Sequence, residues 1–299
     1  MTVASGSVRR YLVGRPEVQQ IEVLAGQTLD ELARLEKLAV QGEVLVSATA
    51  VFPDMTTAGE RDGGGVVVCG LETAVSPDPW PELPPLPMAQ TRRWLLEPTF
   101  YALQAGGSQF MAELRPANAL FLQFWGVDYD GDAQAGQKLD RFVGWVQGVV
   151  AHYGGYILQL TTGDKGSYLY ATFGALKAYE DDALRAVLAA LDLHQLPQEM
   201  AFISRLQIGV TNGEMYVGAY GSGTRRTYGA LGNKTNMAAR LMVAADAGIL
   251  CDQVVYGATK ERITYEVLAP IQVKGRETLA QMGSTYSQVR SALSVCQWL

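Results

Sequence analysis

The sequence predicts an α+β domain in which helices pack on an antiparallel sheet. From residue 119 onward the apolar patterns follow the order β-α-β-β-α-β, and hairpins rather than βαβ crossovers dominate. No Gly-x-Gly-x-x-Gly run opens a helix, which counts against a parallel dinucleotide-binding sheet. Further β, α and β segments follow, so the expected architecture is a ferredoxin-like antiparallel sheet with packed helices and additions.

Each element of this core follows a local pattern. A nearly continuous apolar run over 119–128 predicts a buried strand. Apolar side chains at helical spacing predict a helix over 136–155 that ends at a Gly-Gly pair. Two hairpins are expected, one turning at 163–166 and one at the Asn-Gly pair 212–213. A further helix is predicted over about 234–245.

The chain is expected to contain four parts. Residues 1–73 carry too few strands and helices to bury a core without a partner. Residues 74–116 form a linker, with six prolines in SPDPWPELPPLP and a short helix after them. The complete domain is predicted over 117–290, and 291–299 form a tail without a recognisable motif.

The N-terminal part has its own pattern. A strand is predicted over 8–14, and leucines that recur on one face predict a helix over 27–39. The segment Gly-Glu-Val-Leu-Val-Ser then indicates another strand, which ends in a turn.

Composition narrows the possible functions. The chain has 299 residues, 48% hydrophobic and 18% charged, which is typical of a globular protein with a sizeable core. Its net charge of −6 offers no general attraction for nucleic acid or anionic membranes. The three cysteines are far apart, and no leader or membrane-spanning run is recognised, so a reduced, cytoplasmic location is expected.

The most informative segment is 224–248, TRRTYGALGNKTNMAARLMVAADAG. It fits the spacing Tyr-x-x-x-Gly-x-x-x-Asn-x-Ala-x-Arg through Tyr228, Gly232, Asn236, Ala238 and Arg240. The glycines of IGVTNGEMYVGAYG before it and a Val-Lys-Gly after it continue the same register. These spaced motifs resemble the signature of the class III adenylate/guanylate cyclases over about 117–290.

The two polar motif residues lie four apart on the predicted helix and therefore share one face. Cyclisation joins the ribose 3′-oxygen to the α-phosphorus and expels pyrophosphate, so charge builds on the phosphoryl oxygens. The resemblance implies that Asn236 orients the ribose, Arg240 stabilises the transition state and Lys274 holds the terminal phosphates. Without the resemblance, Arg240 reads as a solvated helix residue and Asn236 as a helix-start residue.

Within the family, the likeness is to tandem, soluble-adenylate-cyclase-like proteins, in which two unlike halves form one active site. The segment GDKGSYLYATFG resembles the second half, which implies that Lys165 approaches adenine and that Ala230 offers its backbone to the adenine edge. Lys165 is equally explained as a turn residue of the hairpin. Residues 1–73 resemble the closing part of a first half, most of which is expected to be absent before Met1.

The family holds two metal ions, Mg²⁺ or Mn²⁺, with two carboxylates. Gly126 and Ser167 occupy those two positions here, although a longer turn would place Asp164 in the second. The Asp-Tyr-Asp-Gly-Asp loop at 128–132 is more typical of a solvated turn than of a metal site. No metal ligand is therefore identified, and Gly229 at the base-reading position leaves the choice between ATP and GTP open.

Two functional hypotheses remain. The first is a purine-nucleotide cyclase-type domain, a phosphorus–oxygen lyase of intracellular signalling that needs a metal-bearing partner half in the same or another chain. The alternative is a catalytically silent nucleotide-binding or interaction module derived from a cyclase. The missing aspartates favour the silent module for the isolated chain, whereas the intact Asn-Arg pair favours the cyclase. The expected partners are ATP or GTP and a second cyclase half, with neither nucleic acid nor membrane.

Overall fold

The structure of the chain is a computed structural model. It describes residues 1–76, 78–79, 81, 84–106, 112–163, 166–222, 226–268 and 287–292.

The N-terminal region forms one helix and two small sheets. Its elements are β1 (Thr2–Val3), β2 (Arg9–Val13), β3 (Ile21–Ala25), α1 (Gln27–Leu38), β4 (Val44–Val46), β5 (Met55–Glu60) and β6 (Val66–Leu71). Strands β2 and β3 pair as an antiparallel hairpin, and the other strands form a sheet in the order β1-β4-β6-β5. The strand predicted over 8–14 and the helix predicted over 27–39 are confirmed.

A short helical segment leads from this region to the main domain. It contains α2 (Met88–Thr91) and α3 (Glu97–Gln104), joined by a 3₁₀ turn. Helix α3 has a proline in its first turn, where the missing N–H has no helical partner to lose.

The main domain has the predicted order β-α-β-β-α-β. Its elements are β7 (Glu113–Trp125), α4 (Ala135–His152), β8 (Tyr156–Thr161), β9 (Ser167–Phe173), α5 (Asp182–His194) and β10 (Arg205–Gly221). These strands lie side by side in the antiparallel order β10-β7-β9-β8. The α+β fold, with helices packed on a largely antiparallel sheet, is therefore confirmed.

The additions extend this sheet. They are β11 (Arg226–Leu231), α6 (Asn233–Ala244), β12 (Ile249–Cys251), α7 (Gln253–Thr259), β13 (Ile263–Val267) and β14 (Ser287–Ala292). Strand β11 pairs with the end of β10, whereas β12 runs parallel to β10 and continues the sheet through β14 to β13.

The hairpin turn predicted at the Asn-Gly pair 212–213 is wrong. Strand β10 runs straight through this pair for 17 residues, and β7 pairs with it from Arg205 to Val217. Asn212 lies directly opposite Asn118, and its Nδ2 donates to Asn118 Oδ1 at 2.9 Å. A partner strand with a matching amide thus outweighs the local turn preference.

Buried residues lie on both faces of the main sheet. On one face, α4 and α5 cover the sheet with a large apolar core that includes Phe124 and Phe142. Val13 and Val23 of the N-terminal hairpin are buried in the same core. On the other face, α6 packs its Ala238 against β7, β9 and β10 in a smaller core.

Candidate functional site

Helix α6 carries the two polar residues of the motif. Its backbone lies directly on β10, since a Cβ on Gly209 would stand only 2.2 Å from the carbonyl oxygen of Ala238. Asn236 is exposed and Arg240 is half-buried, one turn further along the same side. Neither side chain hydrogen-bonds or ion-pairs with another residue that the structure describes. Both are therefore free to meet a ligand from the solvent side of the helix.

The first turn of α6 is fixed to its neighbours. Lys234 Nζ forms an ion pair with Asp252 Oδ2 at 2.6 Å, and the other oxygen of Asp252 accepts from Val255 N at 3.0 Å at the start of α7. Thr211 Oγ1 of β10 donates to the Lys234 carbonyl at 2.8 Å. These contacts hold the turn that presents Asn236, and nothing in the local sequence pattern indicated them.

Ala230 lies at the end of β11 and is fully buried. Its carbonyl oxygen accepts hydrogen bonds from Tyr170 Oη at 2.8 Å and from Thr235 Oγ1 at 3.1 Å. Tyr170 stacks on Phe121 with ring centroids 4.5 Å apart, and burial raises the pKa of Tyr170 to about 12. The contact of Ala230 with a purine stays a prediction, and its carbonyl already has two donors.

The two predicted lysines are not placed by the structure. Lys165 and Lys274 both lie outside the described residues. The strands β8 and β9 that flank Lys165 do pair as the predicted hairpin. The contacts of Lys165 with the base and of Lys274 with phosphates stay predictions.

Gly126, which the resemblance predicts to be the first metal position, has no room for a side chain. Gly126 has φ +114°, and a Cβ there would lie 2.0 Å from the Phe202 carbonyl oxygen and 2.8 Å from Ser204 N. Ser204 N donates to the Trp125 carbonyl at 2.9 Å, so this crossing of two backbones is hydrogen-bonded. An aspartate at position 126 does not fit this backbone.

The second metal position is predicted at Ser167 or, with a longer turn, at Asp164, which lies outside the described residues. Ser167 is buried, and its hydroxyl shares a 2.6 Å hydrogen bond with Tyr129 Oη. The nearby Asp128 accepts two backbone N–H groups of its own loop. Lys138 hydrogen-bonds Asp132 and holds the pKa of that carboxyl below its usual value. Within the described ranges no group of three metal-ligating side chains exists, and neither Gly126 nor Ser167 offers a carboxylate to the family's metal ions.

The N-terminal region covers the edge of the sheet around Gly126 and Ser167. The Arg9 guanidinium donates to the carbonyls of Asp130 and Asp132 at 2.7 and 2.9 Å. Thr162 Oγ1, beside the β8–β9 turn, donates to the Leu24 carbonyl at 2.5 Å. A cavity of about 270 Å³ remains between the start of α1 and the positions of Gly126 and Ser167. Sequence reasoning missed Arg9, because its partners lie more than 120 residues away.

Comparison with known proteins finds sequence similarity to nucleotide cyclases in the region that contains helix α6. Residues 156–286 match the family described as the Adenylate and Guanylate cyclase catalytic domain. The fold, the motif helix and this match define the class to which the chain is similar: over residues 156–286 it resembles the class III adenylate/guanylate cyclase domains. Among curated proteins it is similar to human adenylate cyclase type 10, with 26% identity over 151 residues. The rat protein of the same name is 28% identical over 149 residues.

These similarities cover part of each protein. The matches span 50% and 49% of this chain but 9% of the human and rat relatives. Among solved structures, the adenylyl cyclase CyaB from P. aeruginosa has a TM-score of 0.52 at 21% identity, covering 60% of this chain and 96% of that one. The guanylate cyclase domain of RhGC from Catenaria anguillulae, solved with GTP, has a TM-score of 0.52 at 18% identity, covering 61% and 100%. At these identities the two structures establish the fold.

The helices give no indication of a membrane span. Within the described residues, none combines the length and the apolar character needed to cross a bilayer.

Proposed function

We propose that this domain is the nucleotide-holding half of a purine-nucleotide cyclase, which makes cyclic nucleotide from ATP or GTP together with a metal-bearing partner half. The observation that carries the proposal is the contrast between its two edges. Asn236 and Arg240 stand on a firmly held helix without protein partners among the described residues. The edge of the sheet around Gly126 and Ser167, here called the metal edge, is in contrast filled by their backbone and side-chain contacts and by the N-terminal region.

The chemistry assigned to this chain is positioning and charge stabilisation. The ribose 3′-oxygen forms a bond to the α-phosphorus while the bond to pyrophosphate breaks. Asn236 orients the ribose, and the Arg240 guanidinium neutralises charge on the phosphoryl oxygens. Lys274 holds the terminal phosphates and Lys165 approaches the base. The partner half would hold the metal ions, which would supply activation of the 3′-hydroxyl and neutralisation of the phosphates.

The position of the N-terminal region is consistent with nucleotide contacts from this chain and metal binding by a partner half. We infer that residues 1–73 are the remnant of a first half, joined through the linker 74–116 to the domain over 117–290. The remnant lies against the metal edge through Arg9 and Leu24 and leaves the outer side of α6 uncovered. A partner half would therefore approach α6. Such a pairing belongs to cyclic-nucleotide signalling inside the cell.

The alternative is a silent nucleotide-binding or interaction module. It is favoured by the backbone crossing at Gly126, which leaves this chain without the first metal carboxylate. Binding of a nucleotide without turnover in the presence of any partner half would support this alternative.

The test is cyclase activity of the chain mixed with a metal-bearing class III half, with ATP or GTP and Mn²⁺. Asn236→Ala and Arg240→Ala should each lower turnover by about 10²- to 10³-fold, because each removes stabilisation at the reacting centre. Arg262→Ala, an exposed arginine on the last turn after α7, is the control and should leave turnover unchanged. Activity of the chain alone that both variants abolish would show that it forms a complete site by itself and would contradict the half-site proposal.

A further inference from the structure

A cavity, here called the α3–β11 cavity, lies between the linker and the main sheet. Its volume is about 310 Å³, at the lower end of the range for small-molecule sites. Trp94 of the 3₁₀ turn and Leu103 of α3 form one wall. Leu158 of β8 and Ala219 of β10 form the other, together with the first residues of β11. The polar motif residues of α6 do not line it, so this cavity is a separate site.

The walls of the α3–β11 cavity leave apolar side chains uncovered. Leu103 is 50% exposed, and Trp94, Leu95 and Leu158 are half-buried. No acidic side chain is among the described residues that line the cavity. Removing apolar surface from water is favourable, so these walls suit a molecule with an apolar body.

Two polar side chains of β11 also line this cavity. Arg226 and Tyr228 are two residues apart on one strand, so their side chains point to the same face. Arg226 is exposed and forms no ion pair or hydrogen bond with any residue that the structure describes. The hydroxyl of the half-buried Tyr228 likewise has no hydrogen-bond partner in the described part of the chain. Burial raises the pKa of Tyr228, so this hydroxyl keeps its proton and can donate.

These two donors favour a ligand with a single negative charge. A guanidinium and a phenolic hydroxyl both donate, and one carboxylate can accept from both. The charge of Glu113 also acts on Tyr228, but Glu113 is paired with Arg115 at 3.2 Å and leaves Arg226 available. A phosphate fits less well, because it would have to give up its hydration beside the apolar walls.

We propose that the α3–β11 cavity binds a small molecule with an apolar body and one carboxylate, such as a medium-chain fatty acid, and that Arg226 and Tyr228 hold the carboxylate. The apolar body covers Leu103 and Leu158. Because one wall belongs to the linker and the other to the main sheet, the bound molecule connects these two parts of the chain. The site is independent of the proposed cyclase function.

The test is equilibrium dialysis of the full chain against octanoate, octanol and octylamine, which share one apolar chain and differ in charge. Octanoate should bind about three- to tenfold more tightly than octanol, as a charge-assisted hydrogen bond to an exposed arginine gives. Octylamine should bind more weakly than octanol, because its charge repels Arg226. Decanoate should bind about tenfold more tightly than octanoate, since two further methylenes are buried.

Substitutions locate the bound molecule. Arg226→Ala should lower the affinity for octanoate to that for octanol and leave the affinity for octanol unchanged. Tyr228→Phe should weaken octanoate binding about threefold. The matched control is Arg93→Ala, because Arg93 is an exposed arginine of the linker that does not line the cavity. Ala219→Phe fills the cavity and should abolish binding of both octanoate and octanol.

Leu103→Asp is a second variant in case Ala219→Phe does not fold, since position 103 is half exposed. Its negative charge should weaken octanoate binding more than octanol binding. Equal affinities for octanoate and octanol, both unchanged in Arg226→Ala, overturn the assignment of a carboxylate. Octanoate binding that neither Ala219→Phe nor Leu103→Asp weakens takes place elsewhere and overturns the site. No binding of octanoate or decanoate overturns it as well.

Discussion

At the scale of single residues, Asp182 has a buried carboxyl group, and the loss of its solvation costs folding free energy that the local sequence does not indicate. It begins α5 and is 8% exposed. Its Oδ2 accepts from Tyr179 N at 2.7 Å, whereas Oδ1 has no partner among the described residues. Loss of solvation raises the pKa of this carboxyl above its ordinary value, more than the bond from Tyr179 lowers it.

This shift predicts the pH dependence of one substitution. A carboxyl whose folded-state pKa is raised holds its proton longer in the folded chain, so stability falls as the pH rises from about 4 through the folded-state pKa. Asp182→Asn keeps an acceptor for Tyr179 N and removes the charge. It should be more stable than wild type at pH 7, by on the order of 1 kcal/mol, with the difference shrinking toward pH 4. Urea unfolding across this range measures it.

The neighbouring acid is the control. Asp181 is exposed and forms an ion pair with Arg185 one turn along α5. Asp181→Asn should change stability by less than about 1 kcal/mol and in the destabilising direction. An Asp182→Asn variant that is less stable than wild type at every pH would mean that the negative charge at the start of α5 stabilises the fold.

The same scale explains which site residues the sequence could identify. Asn236 and Arg240 sit in one short motif on one helix, so spacing alone places them on one side. Tyr170 lies 60 residues before Ala230, and no periodicity links a strand tyrosine to a distant carbonyl. Such contacts follow from the order of strands in the sheet, which a single sequence specifies only loosely.

At the scale of elements, helix α4 is the main support of the N-terminal hairpin. Gln147, 2% exposed, accepts from Arg15 N and donates to the Gln19 carbonyl, both at 2.7 Å. Two turns earlier, Asp140 accepts from Gly14 N at 2.8 Å. One helix face therefore satisfies the backbone between β2 and β3.

Removing this support should loosen the hairpin. Gln147→Ala deletes both hydrogen bonds and leaves buried backbone groups unpaired, so the free energy of unfolding should fall by about 2–4 kcal/mol. Gln137→Ala, an exposed glutamine on the same helix, should change it by less than about 0.5 kcal/mol. Denaturant unfolding compares the two. Equal effects would contradict the assignment of Gln147 as the link.

The sequence predicts the helices correctly where one helix face is apolar. It predicts a turn wrongly where pairing with a distant strand determines the structure. The helices α1, α4, α5 and α6 follow from their apolar spacing. The Asn-Gly pair in β10 has the chemistry of a turn, and only the opposite strand with Asn118 makes it part of a ladder. Long-range pairing of this kind leaves no mark in the local pattern.

At the scale of the whole molecule, the N-terminal hairpin and the cyclase domain share a core. Val13 and Val23 are buried with Leu139 and Val146 of α4. The sequence indicated that residues 1–73 need a partner, because they carry too little structure for a core of their own. It could not name the partner, since Arg15 and Gln147 are 132 residues apart.

A shared core predicts shared unfolding. Residues 9–25 and the cyclase domain should melt in one calorimetric transition, with no earlier separate transition for the hairpin. Val13→Ala should lower the stability of that whole transition by about 1.5–3 kcal/mol, since two buried methyl groups are lost. Val8→Ala, at a position 42% exposed, is the control and should have little effect. If the calorimetric trace of Val13→Ala split into two unfolding peaks, the hairpin and the main domain would be two independently folding units.

Gly126 also bears on the history open to this protein. Because the carbonyl of Phe202 occupies the space of a Cβ at position 126, a mutation to aspartate meets a collision before it gains a ligand. The segment 202–204 would have to move first, and under the half-site proposal that change brings no benefit while position 126 is still glycine. A carboxylate at this position therefore requires two ordered mutations, the first without selective value. Under the same proposal, descendants of this chain would continue to depend on carboxylates from a partner half.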